Sequence, residues 1–177
     1  MLSMAAAELE TGASLWSIFT QKAELVGAVV IRTASEETAG ALLRQTAGSF
    51  VCTTSAAKRF PKLARRGARR TPTETPAAEV VVVGEYAVAE TGSVAVNEPK
   101  DDRGKCFLAE RLWVLVAERE ILPALDAGMA RMYQLVTKGA RHPLLMTGPS
   151  RTADIERVLT IGVHGPRALC VVVVGDA

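Results

Sequence analysis

Residues 146–167 read MTGPSRTADIERVLTIGVHGPR, a polar, glycine-bearing stretch between two apolar runs, PLLM at 143–146 and LCVVVV at 169–174. Short apolar runs bounded by turn residues predict buried strands. Gly148 and Pro149 stop the first strand, and Ser150 or Thr152 is placed to cap a helix predicted to follow. Asp154 and Glu156 then fall in its first turn, where the helix dipole favours negative charge. Strand, helix and strand in succession make a unit of an α/β domain, so this stretch decides the fold class. Capping alone would account for both carboxylates. The density of hydroxyl, guanidinium and carboxylate groups exceeds that need, at the kind of junction where open α/β sheets collect ligands.

Outward from this stretch the same alternation continues. Apolar spacing predicts a helix over 15–25 behind a Ser14 cap, a strand over 27–31, a helix opening at Thr33 or Ser35 and running to Thr46, and a short strand over 50–53. Residues 80–83, 86–89, 93–96 and 112–117 read as strands. Residues 99–105 read as a short loop, and a long helix is predicted over 118–138, with Gly139 as its terminator. With no internal repeat, this pattern predicts one three-layer, Rossmann-like α/β domain over residues 1–177, with a mainly parallel sheet and a basic, Pro/Thr-rich variable segment at 58–76.

A second junction lies at AVAETGSV, residues 87–94. Glu90 enters a turn between two strands, and Gly92 fits a backbone of positive φ that other residues resist. A carboxylate there suits substrate orientation, general-base work or nucleophilic attack, and equally suits holding the turn by accepting backbone hydrogen bonds. Glu90, Thr91, Gly92, Gly148, Ser150, Arg151, Thr152, Asp154 and His164 are therefore the candidate ligand-binding residues, Glu90 being the one catalytic candidate. Ser150, Arg151 and Thr152 at a helix N-terminus would hold a small carboxylate or a single phosphate. His164, between Val163 and Gly165, has the pKa class of a general base but sits in a turn where a structural role is commoner.

Composition narrows the function classes. With 49% hydrophobic residues, the 177-residue chain can bury a substantial core. Its apolar runs fall far short of the ~20 residues that span a bilayer. Residues 1–10 lack a charged region ahead of an apolar core, so they do not read as a signal peptide, and a cytoplasmic location is expected. Cys52, Cys106 and Cys170 are odd in number and widely spaced, which argues against a disulfide framework, a structural zinc site or an iron-sulfur site in this chain. Cys170 reads as a small buried hydrophobe. No metal site is expected. The absence of Gly-x-Gly-x-x-Gly and Walker-type loops lowers nicotinamide, flavin and nucleoside triphosphate readings.

Lys58, Arg59, Lys62, Arg65, Arg66, Arg69 and Arg70 have no acid among them, leaving 14 basic against 19 acidic residues elsewhere. Such a run suits nucleic acid, a phosphorylated ligand or an acidic partner, or else a solvated helix. Phe60 is the one aromatic residue interleaved with it, so the solvated helix is favoured over nucleic-acid binding.

The GPSRTADIE run at 148–156, the GVHGP run at 162–166 and the AETG turn at 89–92 together resemble the LUD-domain family. The resemblance implies the fold shared by ribose-phosphate isomerases, glucosamine-phosphate deaminases and coenzyme A transferases. It also implies an accessory role in oxidation of L-lactate to pyruvate, beside iron-sulfur and LUD-domain partner subunits that would carry the clusters. An enzyme of the coenzyme A transferase or sugar-phosphate isomerase type, and a ligand-binding sensor or scaffold without turnover, are the alternatives. Where family members carry a Leu-Pro-Pro-x-His segment, this chain has Leu108, Ala109, Glu110 and Arg111 ahead of Leu112 and Trp113, so any role of that histidine is absent.

Overall fold

A computed structural model describes residues 13–63, 77–153, 159–161 and 165–175. Helix α1, Leu15–Leu25, starts at Ser14, whose hydroxyl accepts from the Ser17 amide. Strand β1 is Val29–Thr33, and helix α2, Glu36–Thr46, opens with a reciprocal capping box between Ser35 and Thr38. Strand β2, Val51–Cys52, leads into the short helix α3, Thr54–Arg59. Then come β3 (Glu79–Val88), β4 (Ser93–Val96), helix α4 (Lys100–Leu108) and β5 (Arg111–Ala117). Strand β6 (Ile121–Leu122), helix α5 (Leu125–Thr137), β7 (Leu144–Met146), β8 (Arg151–Ala153), β9 (Leu159–Ile161) and β10 (Ala168–Val174) complete the described elements.

The main sheet runs β1-β10-β5-β3-β4-β7, with β2 and β6 adding short pairings to β3. Strands β1, β10, β5, β3, β2 and β6 pair in parallel, whereas β4 is antiparallel to both β3 and β7. Both faces are covered, which is why the central strands are continuous apolar runs rather than alternating ones. Val80, Val82, Leu112, Val114, Leu169 and Val171 face Ile18, Phe19 and Ala23 of α1. The intervening Val81, Trp113, Leu115, Cys170 and Val172 face Ala39 and Leu43 of α2, with Ala56 and Phe60. The expected three-layer, mainly parallel α/β architecture is therefore the one present.

A register shift between Gly84 and Tyr86 inserts one residue into β3. Alternation has period two, so the insertion exchanges the faces. Beyond it Ala87 joins the α1 side, while Tyr86 and Val88 pack with Met132 and Leu135 of α5. The Tyr86 hydroxyl donates to the Gly128 carbonyl at 2.7 Å, and a Cβ at Gly128 would come within 2.8 Å of Val88. Glycine inside α5 thus lets the helix lie directly on the strand.

Three sequence expectations are corrected. The helix predicted over 118–138 is a 3-10 turn, Glu118–Glu120, then β6, then α5. Pro123 has no N–H to continue a helix, and Ile121–Leu122 instead pairs with Ala87–Val88 of β3. The helix predicted after Ser150 is replaced by an antiparallel pair, Arg151 opposite Ile161, Thr152 opposite Thr160 and Ala153 opposite Leu159. β-Branched Thr152, Thr160 and Ile161 suit a pleated strand better than a helix turn. Finally, the predicted loop over 99–105 is the first turn and body of α4, with Pro99 as N-cap and Asp101 and Asp102 in the first turn.

Candidate functional site

The turns after β3 and β7 lie at the same end of the sheet, since β7 is antiparallel to β4 and β4 to β3. Ser93, the first residue of β4, joins them. Its hydroxyl lies 2.7 Å from Thr91 Oγ1 and 2.6 Å from Thr147 Oγ1. Three hydroxyl protons serve those two hydrogen bonds, so one donor remains for solvent or a ligand. Ser93 is buried and Thr147 exposed, so the chain of hydroxyls leads from the interior to the surface.

Both turns are clamped by the end of α1. Gly92 has φ +65°, and a Cβ there would overlap the backbone of Lys22 and Ala23. Gly148 has φ +74°, and a Cβ there would overlap the Val26 carbonyl oxygen. These glycines serve a positive φ and a close backbone approach at once. A side chain at Gly27 would strike the Arg151 guanidinium. Arg151 therefore lies over the C-terminus of α1, where a cation complements the helix dipole.

Glu90 holds the other side of the junction. Its Oε2 accepts from the Leu125 amide at 2.8 Å, capping the first turn of α5, and its own amide donates to the Pro123 carbonyl at 3.1 Å. That contact is the turn-holding role. The Ser150 amide donates to the Pro166 carbonyl at 3.0 Å, bringing together the two ends of the 148–166 segment. Ser150 directly precedes β8, which Arg151 and Thr152 begin, so a strand pair stands where a helix N-terminus was expected to hold an anion. Asp154 and His164 lie outside the described residues, as does the side chain of Thr152.

Sequence reasoning missed a second polar group, on α4 and the turn before it. Glu98 is 5% exposed; its Oε1 accepts from Thr53 Oγ1 at 2.8 Å and from the Val83 amide at 3.3 Å. Burial pushes its carboxyl above the usual range, against the pull of those hydrogen bonds. Asp102, 3% exposed, accepts from the Thr54 amide at 2.7 Å and from Lys105 Nζ at 2.5 Å. Burial pushes Asp102 up, but the bonds from Lys105 and Thr54 outweigh it and hold the carboxyl below its ordinary value. The available signal was the one used for Glu90: a carboxylate directly after an apolar strand. It went unread because 99–105 looked like a loop.

The cysteines offer no thiolate. Burial pushes Cys52 and Cys106 to about 12 and Cys170 to about 11. Among the described residues no group of three His, Cys, Asp or Glu is placed to hold a metal ion, and no helix is long and apolar enough to cross a membrane.

The chain is similar to several known proteins. Lactate utilization protein C of Geobacillus thermodenitrificans is 32% identical over 101 residues, covering 54% of this chain and 42% of that protein. Its counterpart from Bacillus licheniformis is 34% identical over 100 residues, covering 54% and 42%. The protein YkgG of Escherichia coli is 31% identical over 100 residues, covering 54% and 43%. This chain thus matches less than half the length of those relatives. A crystal structure of a DUF162 family protein from Deinococcus radiodurans shares the fold, with a TM-score of 0.64 at 19% identity, over 91% of this chain and 96% of that one. A sequence model of the LUD domain matches residues 74–174, a span that contains both glycine turns and Glu98. The chain belongs to the LUD domain family.

Proposed function

We propose that this chain serves lactate utilisation as an accessory, non-catalytic protein in the oxidation of L-lactate to pyruvate, working in the cytoplasm with iron-sulfur and LUD-domain partner subunits. The observation that carries the reading is the repeated match, at 30–34% identity, to proteins named lactate utilization protein C. The chemistry of the chain supports the division of labour. Its three cysteines sit apart on β2, α4 and β10 and form no ligand cluster, which supports assigning cluster ligation to the partners. The junction of Thr91, Ser93, Thr147 and Arg151 offers a hydroxyl donor and a cation to a small carboxylate or phosphorylated ligand. Glu90, engaged in capping α5, acts there as a turn-holding residue.

Two measurements test this. Disrupting the gene in its host should abolish growth on L-lactate while leaving growth on glucose unchanged, and unimpaired growth on lactate would refute the role. The purified chain should show no cluster absorbance and no lactate-dependent dye reduction. Appreciable turnover by the isolated protein would replace the accessory reading with an enzymatic one.

A further inference from the structure

The carboxyl ends of β2 and β4 run toward each other along the same edge of β3, with Cys52 registered on Val81 and Val96 on Gly84. The gap between these two carboxyl ends opens beside the middle of β3, at its bulge. Here it is a cavity of about 420 Å³ whose lining includes Ser55, Glu85, Glu98, Arg103, Arg141 and His142. Glu85 belongs to the bulge of β3, a feature that re-aims side chains next to sites.

Among the described residues, two buried polar atoms of side chains that line this cavity, Glu98 Oε2 and Arg103 Nε, have no hydrogen-bond partner. Native proteins leave few such atoms, because each costs its full desolvation. The two orphans are complementary in kind. Glu98 Oε2 calls for a donor, and Arg103 Nε calls for an acceptor, with Lys100 and Arg141 adding positive charge on the same lining. Three formal cations, Lys100, Arg103 and Arg141, face two carboxylates, Glu85 and Glu98, so a monoanion suits the cavity better than a zwitterion. A hydroxyl is then the donor of choice. The volume is ample for a molecule of a few carbons.

We infer that this cavity binds a small hydroxylated organic anion, the hydroxyl donating to Glu98 Oε2 and the anionic group accepting from Arg103. The assignment stands on the cavity's own donors and acceptors. It does not rest on the lactate-utilisation reading and concerns a different end of β4 from the Ser93 junction.

Titration of the isotopically labelled full chain, followed by amide NMR, tests it. The probes are L-lactate and glycolate as hydroxycarboxylates, glycerol 3-phosphate as a hydroxylated phosphate, pyruvate as an anion without the hydroxyl, and L-alanine as a zwitterion. The expected result is saturable shifts at Val83, Thr53 and Ser55 with a hydroxycarboxylate or with the phosphate, the better of the two identifying the anionic group. Pyruvate and L-alanine should bind at least tenfold more weakly, and Glu98→Gln should weaken the hydroxylated ligand about tenfold, as expected for a hydrogen bond to a charged group. Arg103→Gln, which removes the acceptor's partner on the other side, should do the same. Absence of saturable shifts with every hydroxylated anion overturns the inference, as does pyruvate binding as tightly as L-lactate or both variants binding like the parent. These outcomes read the cavity alone, so a failure here is distinguishable from a failure of the growth tests.

Discussion

Ser93 Oγ and Thr147 Oγ1 lie 2.6 Å apart across 54 residues of chain, tying the turn after β3 to the turn after β7. Because Ser93 is 1% exposed, its hydroxyl loses water on folding and depends on Thr91 and Thr147 for partners. Ser93→Ala and Thr147→Val should each lower unfolding free energy by about 1 kcal/mol. The double variant should cost less than the sum, with a coupling of roughly 0.5 kcal/mol or more. Urea denaturation of the four proteins measures this, and strict additivity would show that the contact is energetically empty.

Gly92→Ala should destabilise by more than about 3 kcal/mol, since it adds strain at positive φ to overlap with a backbone that cannot yield. Gly48 provides the control. It has a similar φ of +68° but open space around it, so Gly48→Ala should cost only about 1 kcal/mol. Equal losses at the two positions would mean that α1 does not press on the turn.

Glu90→Ala should cost about 1 kcal/mol through loss of the cap on α5, and Glu90→Gln less, because its amide oxygen can still accept from Leu125. Hydrogen exchange at Leu125, faster in the alanine variant and near normal in the glutamine variant, checks the assignment.

Glu98 and Asp102 predict opposite pH effects. A carboxyl raised on folding contributes stability present below its unfolded pKa, and that contribution is lost as pH rises through the raised value. Glu98→Gln should therefore gain stability relative to the parent at neutral pH and lose that advantage in acid. Asp102 is lowered, so its contribution is present above the unfolded pKa and lost as pH falls through the folded one. Asp102→Asn should cost roughly 2 kcal/mol at neutral pH, with the deficit shrinking in acid. Thermal unfolding of both variants from acid to neutral pH decides the signs.

Much of the fold was legible because both faces of the sheet are covered. Continuous runs such as Leu112 to Val116 and Leu169 to Val174 can hardly be anything but central strands, and the Ser14 and Ser35 caps mark helix starts by local chemistry. Gly92 was legible for the same reason, as a turn glycine of positive φ. The β-hairpin at Arg151 and Ile161 was not, because its two strands of three residues carry no period long enough to separate strand from helix. Nor was Glu98. Its significance comes from Thr53 and Val83, brought to it by pairings with β3 that no local pattern announces. The meeting of the Gly92 and Gly148 turns and their clamp by α1 depend on sheet pairing and tertiary packing, which no local pattern announces.

The most direct test of the account is growth on L-lactate of a host whose own gene is replaced by Arg151→Ala, with Glu90→Gln as the control and protein levels checked to be normal. Arg151→Ala removes the cation of the junction without removing core volume, whereas Glu90→Gln keeps an acceptor for the Leu125 amide. The account predicts that the Arg151→Ala strain fails on lactate and grows normally on glucose, while the Glu90→Gln strain grows on both. Normal growth of the Arg151→Ala strain on lactate would contradict it, leaving Arg151 as a cover for the end of α1.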